Sequence, residues 1–203
     1  MRKIKQEKDD RMTPDELLAV LHTAEKLKDT TRHCYTSGGR HESVAEHSWR
    51  IALMAFLLRQ EFSEADMDKV TRMCLIHDLG ECFTGDIPAF DKTVQNERTE
   101  EALLYAWVDT LPSPTREEMR ALYDEMAALE TQEAKIYKAL DKLEAVISHN
   151  ESDLSTWEPH EYDLQLTYGV QNAAFSPYMT ALRRAIREET LRKIEREGRS
   201  PVK

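Results

Sequence analysis

His77 and Asp78 stand side by side at the end of an apolar run and lead at once into Gly80, Glu81 and a Thr84-Gly85-Asp86 turn. An imidazole next to a carboxylate can offer one nitrogen and one oxygen to the same divalent cation. His47, inside Glu46-His47-Ser48, and Asp141, inside Leu140-Asp141-Lys142, supply a second pair of the same kind from distant segments. Each residue taken singly has an ordinary explanation, since a lone His on an apolar face is usually a core histidine and a lone Asp after Leu usually faces water. Taken together, His47, His77, Asp78 and Asp141 are expected to hold one divalent metal ion per chain. Such a mixed set leaves coordination positions open, unlike a thiolate-rich structural zinc site. A cation there polarises a phosphoryl oxygen and acidifies water for in-line attack on phosphorus. Two imidazoles favour Mn²⁺, Co²⁺, Fe²⁺, Ni²⁺ or Zn²⁺ over the oxygen-seeking Mg²⁺.

Helices must carry these donors, and their starts are written along the chain. Ser or Thr followed three residues later by an acid can satisfy orphan amides reciprocally. Thr13-Pro14-Asp15-Glu16, Ser43-Val44-Ala45-Glu46, Ser63-Glu64-Ala65-Asp66 and Thr115-Arg116-Glu117-Glu118 all fit. Further helices are expected over 94–110, 130–149 and 177–196, with connectors at Leu111–Pro114 and Ser155–Pro159, and a charged tail fraying from Arg192. In the helix opened by Ser43, the stripe Val44, Ile51, Met54, Ala55 and Leu58 includes His47, so His47 points inward. Val70, Met73 and Cys74 form the buried face of the next helix and carry His77 with them. Leu140, Leu143 and Ile147 leave Asp141 at the border of their stripe.

The 203 residues are 33% charged and 7% aromatic, with six Gly and seven Pro. This balance favours an all-α protein, and strand signals are nearly absent. The expected organisation is a charged segment at 1–12, one helical domain at 13–196 and a charged tail at 197–203. A net charge of −10 argues against nonspecific binding to a nucleic acid polymer. No apolar run is long enough for a membrane span, and Ile51–Leu58 is the longest. Three cysteines at no zinc-ribbon spacing suit reduced thiols in the cytoplasm.

The His, His-Asp, Asp succession resembles the HD-domain metal-dependent phosphohydrolases, and within them the 5′-deoxynucleotidase-like subgroup. The likeness runs over Arg32, the stretch Glu42–Ser48, the stretch His77–Pro88 and Leu140–Glu144, about residues 15 to 150. It implies a single HD-domain helical bundle that hydrolyses nucleoside 5′-monophosphates, with deoxyribonucleotides foremost.

Glu81 follows Asp78 by three residues and His77 by four, on the ligand face one turn on, and is the candidate to orient or deprotonate the attacking water. Its bland alternative is a solvated carboxylate near a helix C-terminus, where the macrodipole disfavours it. Asp86 resembles the family's second active-site carboxylate, which handles the leaving-group proton or contacts substrate; alternatively it closes an Asx turn. Arg32 precedes His47 by the separation found in relatives, and a planar guanidinium can grip phosphate. Relatives often carry Trp directly after that Arg, pressing on the sugar to exclude a 2′-hydroxyl. This chain has His33 there, which implies weaker sugar discrimination. Arg40 and Lys142 have ordinary surface explanations. Many relatives look like homodimers, and Phe175, Tyr178 and Leu182 could supply such a contact. The competing readings are nucleoside triphosphate or cyclic-dinucleotide hydrolysis, and a non-catalytic helical module that keeps a metal for structure. The chain shows no Gly-Tyr-Pro extension, second His set or basic run to favour the first.

Overall fold

A computed structural model describes residues 11–197. The expected helix starts at Thr13 and Ser43 form complete capping boxes. Glu16 accepts from the Thr13 N–H at 2.7 Å at the head of α1 (Pro14–Ala24), and Glu46 accepts from the Ser43 N–H at 2.9 Å at the head of α2 (Val44–Leu57). The box at Ser63 does not form. The chain there turns back on itself to bury Phe62, and α3 (Met67–Ile76) starts later, with Asp66 accepting from the Lys69 N–H. A single helical turn, α4 (Glu81–Thr84), follows. Thr93 and Asn96 cap α5 (Val94–Val108), which stops two residues short of the expected span. In α6 (Thr115–Ala128), Thr115 is the first helical residue rather than a cap, and Pro114 takes the cap position.

Thr131 caps α7 (Gln132–Glu151), the long central helix. Two short helices, α8 (Glu161–Thr167) and α9 (Val170–Ala173), precede α10 (Pro177–Glu197). Helix α10 does not fray at Arg192, because Thr190 and Lys193 in its last turns are buried. The expected segments 1–12 and 197–203 lie almost wholly outside the described residues. No described helix is long and apolar enough to cross a membrane.

Helix α2 packs on α3, and both pack on α7; α6 and α10 flank α7. Ile51, Met73, Ile136, Leu140, Leu143 and Met179 are fully buried in this core. An all-α bundle is therefore observed, with one addition that the sequence did not signal. Strands β1 (Thr31–Tyr35) and β2 (His41–Ser43) pair antiparallel just ahead of α2, and β1 lies against α7. The turn between them closes where the Thr36 N–H donates to Arg40 and the Gly39 N–H donates to Thr36, with Gly39 at φ 82°. A two-stranded ribbon is stable only when it packs on something else, and α7 supplies that support.

Candidate metal centre and catalytic cleft

The three core helices bring four donors together, His47, His77 and Asp78 as one cluster and Asp141 beside His47. His47 hangs from the buried face of α2 and is 1% exposed. His77 and Asp78 follow directly on the last turn of α3, which is held by a 2.7 Å hydrogen bond from the Tyr123 hydroxyl to the Ile76 carbonyl. Asp141 comes from α7, where it is buried rather than at the border of the apolar stripe. His47 Nε2 is 3.8 Å from Asp78 Oδ2 and 3.5 Å from Asp141 Oδ1, and His77 Nε2 is 2.9 Å from Asp78 Oδ2. The two imidazole rings meet edge-on at 5.2 Å.

These donors fit a cation on two counts. Both imidazoles are gripped from behind through Nδ1, His47 by Glu144 and His77 by the Cys74 carbonyl at 2.9 Å, which turns both Nε2 atoms inward. His77 Nε2 is also buried without a hydrogen-bond partner, since the nearby Asp78 oxygen does not lie along an N–H direction. A nitrogen that is short of partners and surrounded by carboxylate oxygens is the arrangement a divalent ion satisfies.

A buried counter-charge network backs this centre. Arg32 Nη1 lies 2.8 Å from Glu42 and 3.2 Å from Glu144, and the Ser148 hydroxyl lies 3.0 Å and 2.7 Å from the same two carboxylates. Burial works against the Arg32 charge, but Cys34, Glu144, Glu42 and Asp78 outweigh it and raise its pKa above the ordinary value. Burial and Arg32 disfavour the charged form of His47, yet Asp141 and Glu144 prevail and lift it to about 9. Asp141 is pulled well below the usual carboxylate range despite its burial, by Lys138 at 3.0 Å and Lys142 at 3.3 Å.

Gly80 and Gly85 set the path of the acidic loop. A side chain on Gly80 would come within 2.8 Å of the Glu100 side chain, which packs across this turn. Gly85 holds φ 75° and ψ 167°, a region that residues with a Cβ avoid. This conformation re-aims the chain so that Asp86 faces the cleft. Glu81 opens α4 instead of sitting near the C-terminus of the preceding helix, so the expected conflict with a helix dipole does not arise. Burial, then Asp78, Asp86 and Glu100, push the Glu81 carboxyl up to about 10, and its Oε2 is buried without a hydrogen-bond partner. Asp86 is raised too, by burial first and then by Asp78, against the pull of Arg32 and Lys92.

These groups line one cleft that opens to solvent. Arg32, Asp86, Lys138 and Lys142 surround the metal-donor end, while His33, Phe90, His149, Glu161, Gln165 and Tyr168 form another wall.

A family profile described as HD domain matches residues 24–183. The chain belongs to the HD-domain family. Among its relatives, the 5′-deoxynucleotidase HDDC2 of Homo sapiens is 32% identical over 139 residues, covering 66% of this chain and 67% of that one. The Danio rerio HDDC2 is 27% identical over 189 residues, covering 91% and 92%. A solved structure from Magnetospirillum magnetotacticum, described as a predicted metal-dependent phosphohydrolase, superposes with TM-score 0.74 at 32% identity, covering 88% of this chain and 93% of that chain.

In this HD-domain protein, all eight residues singled out from sequence line the cleft or its floor. His47, Asp78, Asp141, Glu81, Asp86, Arg32 and His33 face the cavity, and His77 lies beneath it against Tyr137. Arg40 pairs with Glu46 at the surface. Lys142, by contrast, lines the cleft and is not an ordinary surface lysine. Sequence reasoning passed over Glu144, Lys138, His149, Glu161 and Phe90. Helical spacing from Asp141 could have marked three of them, since Lys138, Glu144 and His149 fall one turn before, one turn after and two turns after it on α7. Nothing local marks Glu161 or Phe90.

Proposed function

We propose that this HD-domain protein is a metal-dependent phosphomonoesterase that converts nucleoside 5′-monophosphates, deoxyribonucleotides foremost, to nucleoside and phosphate. The observation that carries the reading is the cluster of His47, His77 and Asp78, with Asp141 3.5 Å from His47, at a cleft that also holds the acids Glu81 and Asp86. The four donors would hold one divalent cation, with Mn, Co, Fe, Ni or Zn favoured over Mg by the two imidazoles. When bound, such an ion polarises phosphoryl oxygens and acidifies water.

The chain's own groups do the rest. Glu81 orients the water and, once a bound cation offsets the neighbouring acids that raise its pKa, takes the water's proton as the new O–P bond forms, and Asp86 delivers a proton to the 5′-oxygen as the old P–O bond breaks. Arg32 is anchored through Nη1, and a guanidinium has five N–H donors, so others remain to meet a phosphate beside Lys138 and Lys142. His33 meets the sugar side of the substrate. The names of the HDDC2 relatives support deoxyribonucleotide substrates. A small substrate in a half-open cleft also suits a chain of net charge −10 better than a nucleic acid polymer does.

The three buried free cysteines suit a cytoplasmic setting. Pairing of two copies belongs to the same reading. Of the expected contact residues, Phe175 and Tyr178 are exposed while Leu182 packs against the core, and Trp49, Leu53, Phe56 and Leu57 add an exposed apolar stripe on α2.

The test is phosphate release from ribo- and deoxyribonucleoside monophosphates, triphosphates and cyclic dinucleotides after chelation and re-addition of each metal. Release from the 5′-monophosphates alone is expected. Preferential cleavage of triphosphates or cyclic dinucleotides, or no release with any metal, would overturn the proposal.

A further inference from the structure

Three clusters of histidine and acid donors lie within reach of a single ion among the described residues. One is the centre above. A second, Glu42 with His47 and Glu144, already holds the Arg32 guanidinium at 2.8 and 3.2 Å from its two carboxylates, so another cation has no place there. The third is His33, His149 and Glu161, drawn from β1, α7 and the first residue of α8.

We propose that His33, His149 and Glu161 form a second transition-metal site, in the wall of the cleft that the HD centre does not use. His149 Nε2 is 2.8 Å and His33 Nε2 3.1 Å from the same Glu161 oxygen. Donors about 2.0–2.1 Å from a tetrahedral zinc ion stand roughly 3.3 Å apart, near these two separations, and all three donor atoms lie within 4.8 Å of one another. His149 Nδ1 lies 3.1 Å from the Ala145 carbonyl, repeating the grip of Cys74 on His77 Nδ1 at 2.9 Å. In a neutral imidazole, an Nδ1–H donated to that carbonyl leaves a lone pair on Nε2, facing a carboxylate oxygen. Either a proton or a cation must lie between them, and a dication shared with His33 serves all three groups at once. The second Glu161 oxygen accepts from the Glu158 N–H at 2.7 Å, which fixes the carboxylate, and Glu161 is 1% exposed. Trp157 borders His149 and Phe90 borders His33, leaving the remaining coordination position towards the cleft. Two imidazoles and one carboxylate select Zn²⁺, Co²⁺, Ni²⁺ or Cu²⁺ over Mg²⁺ or Ca²⁺.

The experiment uses the full chain stripped by chelation, titrated with Co²⁺ and followed by visible absorption and by elemental analysis after gel filtration. The intact protein should take two equivalents, while His149→Ala and Glu161→Gln should each take one, and His77→Ala should keep the equivalent bound by the second site. Glu161→Gln preserves shape, and anomalous diffraction from zinc-soaked crystals of the unaltered protein reads the site without any substitution. Equal uptake by the unaltered protein, His149→Ala and Glu161→Gln, or no anomalous peak between His33, His149 and Glu161, would overturn the proposal. Because no arm measures hydrolysis, failure here leaves the phosphatase reading standing, and failure of that reading leaves this one intact.

Discussion

The metal donors and the groups placed to handle substrate reach one cleft by different structural routes. His47, His77, Asp78 and Asp141 sit on or directly after helices whose inner faces, including Val44, Ile51, Val70, Met73, Leu140 and Leu143, are wholly buried. Arg32 and His33 ride on a two-stranded ribbon, Glu81 on a single helical turn, and Asp86 just after a glycine at φ 75°. Core packing holds the first group as tightly as the interior itself is held. Within the second group, His33 and Asp86 can change aim or identity without repacking that interior. Metal retention and catalytic performance should therefore separate under mutation.

The largest effect should come from the packed group. His47→Ala, His77→Ala and Asp141→Ala are each expected to abolish stoichiometric binding at this centre and reduce hydrolysis to background while circular dichroism keeps its helical signal. Undiminished metal content by elemental analysis in all three would erase the distinction between the two groups. Next comes Glu81→Gln, which should retain the metal yet lower kcat about 10²–10⁴-fold with little change in KM. A kcat within a few-fold of the parent would make Glu81 a bystander.

His33→Trp sharpens the contrast within the substrate side. Added bulk beside the sugar should raise the ratio of kcat/KM for dAMP over AMP by about 10–200-fold, as pocket complementarity typically does. An unchanged ratio for both dAMP/AMP and dCMP/CMP would remove His33 from sugar reading.

Glu144→Gln probes the packed group from behind. Losing the partner of His47 Nδ1 should weaken metal binding by about 10–100-fold. It should also alter the pH dependence. His47 is held at about 9, so at neutral pH an incoming cation must displace its proton. Apparent affinity should therefore rise with pH up to about 9 and then level off. Without the Glu144 charge, the imidazolium is less favoured and the plateau should begin at lower pH. Metal titrations from pH 6 to 10 measure this, and identical profiles would disconnect Glu144 from His47.

The smallest effect is expected from Gly85→Ala, which places a Cβ where φ is 75° and ψ 167°. About 1–3 kcal/mol of strain should appear as a lowered Tm, with reduced kcat and unchanged metal stoichiometry. A full loss of metal would show that the loop and the centre are one unit.

Capping chemistry and helical periodicity are local, so α1, α2, the inward turn of His47 and the buried face of α3 could be read directly from residue order. The same logic failed at Ser63 because burying Phe62 decided where the chain turned, and a competing cap at Asp66 took over. The hairpin escaped notice because its stability comes from packing on α7, not from strand-forming residues of its own. The identity of the metal donors was legible in their residue types and in the resemblance they carry. Their support was not, because the contacts that orient them join distant parts of the chain. Arg32 meets Glu144 across 112 positions, His47 meets the same carboxylate across 97, and His149 meets Glu161 only because α8 folds back over the end of α7. Residue spacing records which side chains share a helix face, whereas burial between elements decides which charges are desolvated together, and that is a property of the folded packing alone.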